Sequence, residues 1–265
     1  MALTYAAPPA QAADASAWVS DAHSGMRLVG GSANNGEGAL RAGVEIKLAP
    51  GWKTYWRYPG DSGVPPRFDF SQSSNVKSVS VAFPAPHRFS DPSGNTIGYK
   101  DGVILPVRIE PTIPGQPVLL KLKLDYAVCE RLCIPVEAAA ELALSAGPST
   151  LDGALAAAEQ RVPRKAALGE GSPAVRSVRR NTTGERPRVT VDVAAAPDAA
   201  VDLFVEGPTP EWALPLPDPA PAPDGLRRFT FELDGLPPGA RAEGAELKFT
   251  LVSPDHASEV TTHLD

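Results

Sequence analysis

Leu120, Leu122, Leu124 and Tyr126 alternate with Lys121, Lys123 and Asp125, and this period of two recurs along most of the chain. Successive side chains of an extended strand point to opposite sides, so an apolar residue at every second position lines one face. The same alternation runs through residues 41–48, with Val44, Ile46 and Leu48 together, and through 78–83, with Val79, Val81 and Phe83. It continues at Val103, Leu105, Val107 and Ile109, then at Val136, Ala138, Ala140, Leu142 and Leu144. Proline and glycine supply 29 and 23 of the 265 residues, which keeps strands short and argues against long helices. Short alternating strands between such turns predict an antiparallel β-sandwich.

Residues 149–161 break the pattern. Leu151, Ala154, Leu155, Ala156, Ala157 and Ala158 favour helix, and Pro163 stops it. A second set of alternations follows, at Val189, Val191 and Val193, at Val201, Leu203 and Val205, and at Phe229, Phe231 and Leu233. Leu247, Phe249 and Leu251, then Val260, Thr262 and Leu264, complete it. The proline-rich stretch 208–223 reads as a surface loop. The expected architecture is all-β, with two immunoglobulin-like β-sandwich domains joined by a short helical linker. Its divisions fall at 1–17 (tail or signal-peptide remnant), 18–146 (first sandwich), 147–172 (linker with the helix) and 173–265 (second sandwich).

The net charge is −6 and no dense Lys/Arg face is evident, which argues against nucleic acid as a partner. No run of about 18 apolar residues exists to span a membrane. At the N-terminus, Ala10-Gln11-Ala12 has the Ala-x-Ala form of a signal-peptide cleavage region, without the basic start and apolar stretch that such a signal needs. Two readings stand: an Ala/Pro tail, or the remnant of a signal that directs the protein to the periplasm, where a disulfide persists.

Chemistry is concentrated in Tyr126-Ala-Val-Cys129-Glu-Arg-Leu-Cys133-Ile-Pro135, which holds both cysteines of the chain, three residues apart. Closing so small a loop removes little freedom from the unfolded chain, worth on the order of 2 kcal/mol, so the bridge is a weak staple. Reversible thiol–disulfide exchange is the favoured reading, since strained or exposed disulfides are the easily reduced ones. An inert bridge in a structural adaptor is the first alternative. A copper-binding module is the second, because Cu(I) accepts thiolates. Structural zinc wants four ligands, and His23, His87, His256 and His263 show no ligand spacing, so no metal is assigned. Arg131 would favour a thiolate if it points toward the sulfurs and Glu130 would oppose one, which leaves the attacking cysteine open.

Two further runs are candidates for the surroundings of the thiols. Trp52, Tyr55 and Trp56 precede a double turn at Pro59-Gly60 and Ser62-Gly63, and form either core or an apolar collar around the sulfurs. Residues 87–102 form a polar, turn-rich insertion between strands, either an ordinary surface loop or a binding loop. Phe89 is an apolar residue near its start.

Taken in order, GWKTYWRYPGDSG, then FPAP and GYKDGVILPV, then DYAVCERLCIP resemble the N-terminal periplasmic domain of the DsbD and ScsB group of thiol:disulfide interchange proteins. The resemblance covers roughly residues 20–146, and the second half is similar to the further sandwich of ScsB-like ectodomains more weakly. The resemblance implies an immunoglobulin-like fold and a redox-active Cys129–Cys133 pair. The pair would take electrons from a membrane thiol reductase and pass them to thioredoxin-like and other oxidised periplasmic proteins. That is the activity of a protein thiol–disulfide oxidoreductase without a bound cofactor. It also implies a cap loop over the sulfurs, placed here on 87–102 with Phe89 as the shield, and Tyr55, Trp56, Tyr99 and Tyr126 as further lining. The Cys-x3-Cys spacing is closer than in the better-known DsbD domains and points to the ScsB-like branch. This sequence shows neither the membrane segment nor the thioredoxin-like domain of the full-length proteins, so a complete chain would depend on a separate electron donor.

Overall fold

The computed structural model describes residues 13–32, 38–61, 63–91, 94–144, 147–182, 186–196, 198–223 and 225–265. Residues 1–12, which carry the Ala-x-Ala pattern, lie outside them.

In the first half the strands are β1 (Val19–Ser20), β2 (Ser24–Gly30), β3 (Leu40–Leu48), β4 (Lys53–Gly60), β5 (Arg67–Asp69) and β6 (Val76–Val81). Then come β7 (His87–Asp91), β8 (Gly94–Lys100), β9 (Gly102–Pro111), β10 (Val118–Cys129) and β11 (Cys133–Leu144). Helix α1 (Asp152–Gln160) follows. The second half holds β12 (Arg164–Lys165), β13 (Ala174–Asn181), β14 (Arg188–Ala194) and β15 (Asp202–Glu206). It ends with β16 (Asp218–Ala220), β17 (Leu226–Glu232), β18 (Glu246–Val252) and β19 (Ala257–His263).

The first sandwich packs a sheet of order β1-β2-β3-β9-β6 on one of order β11-β10-β4-β8-β7, with β5 beside β10. The second packs β12-β19-β18-β15 on β13-β14-β17-β16. The chain is thus all-β, in two immunoglobulin-like sandwiches, as the alternation predicts. Val44, Ile46, Leu105, Val107, Ile109, Leu120, Leu122 and Leu124 all fall in the first core.

Three segments depart from the sequence-based reading. Residues 87–102 form the hairpin β7–β8 and the start of β9, where a loop was expected. His87, Ser90 and Lys100 are exposed, while Thr96, Ile97 and Tyr99 are buried. Helix α1 is more than a linker, because Leu155 is fully buried against the first sandwich. A side chain at Gly31 or Gly43 would collide with Leu155, so these glycines make the seat for the helix. The proline-rich stretch 208–223 is a surface loop only in part. Trp212 and Leu214 enter the second core, and Leu216 enters the first. Proline restricts the chain without forbidding burial when flanking side chains are apolar. The expected tail also reaches inward: Asp14 and Ser16 make backbone bonds with Gly30 and Leu28.

The two halves meet along β15. Leu203 and Val205 face the second core, and Phe204 between them faces the first, so the middle of the strand is buried on both sides. Phe204 meets Trp56, the largest fully buried side chain, with ring centroids 5.9 Å apart.

Candidate functional site

Strands β10 and β11 are joined by Glu130, Arg131 and Leu132, and their register sets Cys129 directly opposite Cys133. Directly opposed residues of an antiparallel pair lie about 4.5–5.5 Å apart at Cα, inside the range that a disulfide bridges. The two sulfurs are 2.8 Å apart as free thiols. Hence the three-residue spacing serves a hairpin, with one cysteine on each side of its tip.

The two positions differ. Cys129 is 7% exposed and packs with Tyr55 and Ala127 in a small cluster apart from the main core. Cys133 is exposed on β11, the edge strand of its sheet. Beside it Leu132 stands 78% exposed, the most exposed large apolar side chain among the described residues.

Strand β4 supplies the neighbours. Lys53 pairs in register with Cys129 and Thr54 with Val128. The Thr54 hydroxyl donates to the Ala127 carbonyl at 2.9 Å and ties β4 to the thiol strand. The next residue, Tyr55, brings its hydroxyl to 2.8 Å from Cys133 Sγ. Burial, then the two neighbouring thiols, push the Tyr55 phenol far above its ordinary range, so it stays protonated and can donate to a sulfur anion. Burial also raises the Cys129 thiol, as does the hydrogen bond with Cys133. The Tyr55 hydrogen bond and the Lys53 charge oppose that rise. Arg131, the cation expected from the sequence, is exposed on the loop.

Two glycines allow this closeness. A Cβ on Gly98 would lie 1.9 Å from the Thr54 carbonyl oxygen, so only glycine lets β8 approach β4 there. A Cβ on Gly63 would lie 2.3 Å from Pro59 and 2.7 Å from the Tyr55 ring.

Of the lining residues expected from sequence, Tyr55 hydrogen-bonds a sulfur. Trp56 is not part of a collar. It follows Tyr55 on β4, points to the other side and is buried in the main core. The same alternation turns Tyr126 inward, where its hydroxyl meets Ser24 at 2.8 Å. Tyr99 is also a core residue, its hydroxyl donating to the Pro84 carbonyl at 2.8 Å. Phe89 lies on β7, and its ring sits 5.5 Å from the Lys53 ammonium. That ammonium also donates to Thr96 at 3.1 Å. Phe89 thus meets the side chain of Lys53, the residue paired in register with Cys129. Nothing within GWKTYW or GYKDG sets Lys53 or Gly98 apart, because what marks them is a cross-strand register, which one strand's sequence does not contain. Gly63 shows in the sequence as a turn glycine, and its closeness to Tyr55 only in the fold. No group of three or more His, Cys, Asp or Glu among the described residues could hold a metal ion.

Residues 32–145 match the family model described as "Thiol:disulfide interchange protein DsbD, N-terminal". This segment contains both cysteines, Lys53, Tyr55 and Phe89. Among solved structures the chain is similar to the N-terminal periplasmic domain of ScsB from Proteus mirabilis, with a TM-score of 0.73 and 20% identity. The likeness covers 95% of this chain and 98% of that one, and at this identity it is a likeness of fold that spans both sandwiches. No curated protein matches the chain.

Proposed function

On the premise that residues 32–145 form a domain of the DsbD N-terminal type, we propose that the chain is a periplasmic thiol:disulfide interchange protein. In this reading it carries electrons from a membrane thiol reductase to oxidised, thioredoxin-like periplasmic proteins through Cys129 and Cys133. The observation that carries it is the pairing of one exposed and one buried sulfur across the hairpin tip.

The asymmetry assigns an order. A donor thiolate attacks the oxidised pair at the accessible Cys133 sulfur, and the Cys129–Cys133 bond breaks. Cys129 leaves as a thiolate and takes a proton, which its raised pKa favours. A second donor thiol then attacks the mixed disulfide and releases Cys133, so the donor ends as a disulfide and this pair as a dithiol. Toward a client the sequence reverses: the Cys133 thiolate attacks the client disulfide and Cys129 resolves the adduct. The Tyr55 hydroxyl stabilises charge on Cys133 whenever it is the anion.

Cys129→Ser and Cys133→Ser test this reading. With oxidised glutathione, reduced Cys129→Ser should accumulate a mixed disulfide on Cys133, seen by mass spectrometry. Cys133→Ser should form one far more slowly. A wild-type pair that stays oxidised in strongly reducing glutathione buffer would instead make the bridge an inert structural one.

A further inference from the structure

Strand β4 follows β8 in register only from Lys53 to Tyr55, and the next registered pair is Gly60 with Thr96. Between them Trp56, Arg57, Tyr58 and Pro59 bulge out of the ladder. A bulge re-aims the side chains beside it, and such features concentrate next to active sites. Tyr55 is the last residue in register before this excursion. Its hydroxyl reaches Cys133, so the conformation of the bulge bears on where that hydroxyl lies.

The second sandwich holds the bulge. The Arg57 guanidinium donates to both carboxylate oxygens of Glu206 on β15, at 2.7–3.2 Å. It donates also to Glu259 on β19 at 2.5 Å. All three side chains are largely shielded from water, with exposures of 24%, 16% and 14%. The Arg57 guanidinium also lies over the Trp56 ring at 4.3 Å, and the Tyr58 hydroxyl donates to the Leu214 carbonyl. Arg57 and Tyr58 are thus fixed from outside their own sheet, and Phe204 meets Trp56 beside them. Shielded, bidentate ion pairs of this kind define geometry more reliably than they add stability.

We propose that Glu206 and Glu259 are positioning residues for the thiol site: through Arg57 they set the β4 bulge and so hold the Tyr55 hydroxyl on Cys133. This rests on the thiol-exchange reading, and it gives the cysteine-free sandwich a role in the chemistry of the other. Glu206 and Glu259 touch neither sulfur. Their effect passes through the Arg57 backbone to the residue two positions earlier.

The test uses the full chain and the near-isosteric variants Glu206→Gln and Glu259→Gln, singly and together, beside Tyr55→Phe and Arg57→Lys. The reduced proteins are titrated by thiolate absorbance, and their attack on oxidised glutathione is timed across pH. The sign is diagnostic. Through the field alone, removing two negative charges would favour the thiolate and move the titration to lower pH. Loss of the Tyr55 donor moves it to higher pH.

In the double Gln variant the titration is expected to move to higher pH. Exchange at neutral pH should slow toward the Tyr55→Phe level, about tenfold or more, the scale of one hydrogen bond to a charged acceptor. Adding Tyr55→Phe to the double variant should then change little more. Arg57→Lys keeps the charge and loses the fork, so it should fall between wild type and the double variant. An unmoved or lowered titration, or a Tyr55→Phe effect that stays full in the Gln background, overturns the proposal. Should the double variant fail to fold, the single variants give the same signs at smaller size. If the wild type itself does not exchange with glutathione, the functional reading fails, while the absorbance titration still decides whether Glu206 and Glu259 position Tyr55.

Discussion

Hairpin β10–β11 of the first sandwich and hairpin β18–β19 of the second are built alike and closed differently. In β18–β19 the tip is Ser253-Pro254-Asp255-His256, and Ser253 satisfies it locally, its backbone N–H reaching the His256 carbonyl at 2.8 Å. Strand β19 is then flanked by β12, so neither strand of that hairpin forms an open edge. In β10–β11 the tip carries two thiols and an exposed leucine, and β11 lies at the edge of its sheet. The contrast separates scaffold from chemistry. A site for another protein's disulfide needs an edge that the partner can approach and one sulfur in the open, and of these two hairpins only β10–β11 leaves such an edge. Function here is grafted onto one end of a shared architecture.

The sharpest way to stress this contrast is to weaken the first sandwich away from its tip. Leu155 fills the space over Gly31 and Gly43, so Leu155→Ala should cost about 2–5 kcal/mol in chemical denaturation. The helix packs on β9, in the sheet that does not carry the thiols, and exchange by the protein that remains folded should keep its wild-type rate. A slowed rate at full folding would mean that the tip depends on the whole sandwich. The packing also shows that a chain ending near Gly147 removes part of the first sandwich's cover, whereas an end beyond Val162 retains the helix.

The second sandwich carries its own internal anchor. The Asp192 carboxylate, 5% exposed, takes bonds from Arg228 and Arg179. These interactions, Arg228 first, hold its pKa below the ordinary value of 3.8. A depressed carboxylate stabilises the fold above its unfolded pKa, and that stability drains as pH falls through the folded value. Asp192→Asn should therefore cost about 2 kcal/mol at pH 7, the scale of hydrogen bonds to a charged group, and the deficit should shrink below about pH 4. Denaturation at pH 7 and pH 3 measures both. A deficit independent of pH would assign the loss to packing.

The smallest expected change in stability is at Phe89. With its ring only partly buried under Lys53, Phe89→Ala should leave the melting temperature nearly unchanged. If the hairpin β7–β8 screens the thiols, alkylation of the reduced protein by a small reagent should become several-fold faster. That hairpin is less free to open than its composition suggests. Arg88, the neighbour of Phe89, is held by Asp202 at 2.7 Å and by the Leu203 and Pro217 carbonyls, all in the second half. Unchanged alkylation with a large loss of stability would make Phe89 a packing residue.

Strands were legible where one face meets a core and the other meets water. Leu120, Leu122 and Leu124 show it, and so does Val189 with Val191 and Val193. At Leu203-Phe204-Val205 the alternation of Leu203 and Val205 marked the strand, but not that Phe204, on its other face, is buried in the first core. Legibility failed in β7–β8, whose polar and glycine-rich residues resemble a loop to any rule based on composition. The thiol pair was plain from the sequence, since two cysteines so close have few structural uses. Its lining was not. Trp56 and Tyr126 sit beside the right residues in sequence and on the wrong side of their strands.

By itself the sequence determined the class of fold, because alternation is a local property that each strand carries in its own residues. It determined the two thiols and their closeness for the same reason. Only the tertiary structure decided which sulfur is buried, which tyrosine reaches the other, and that a carboxylate pair about 150 and 200 residues away anchors the strand bearing that tyrosine. Those outcomes depend on register between strands and on contact between sandwiches. Such contacts join residues far apart in the chain, so no single stretch of sequence contains them.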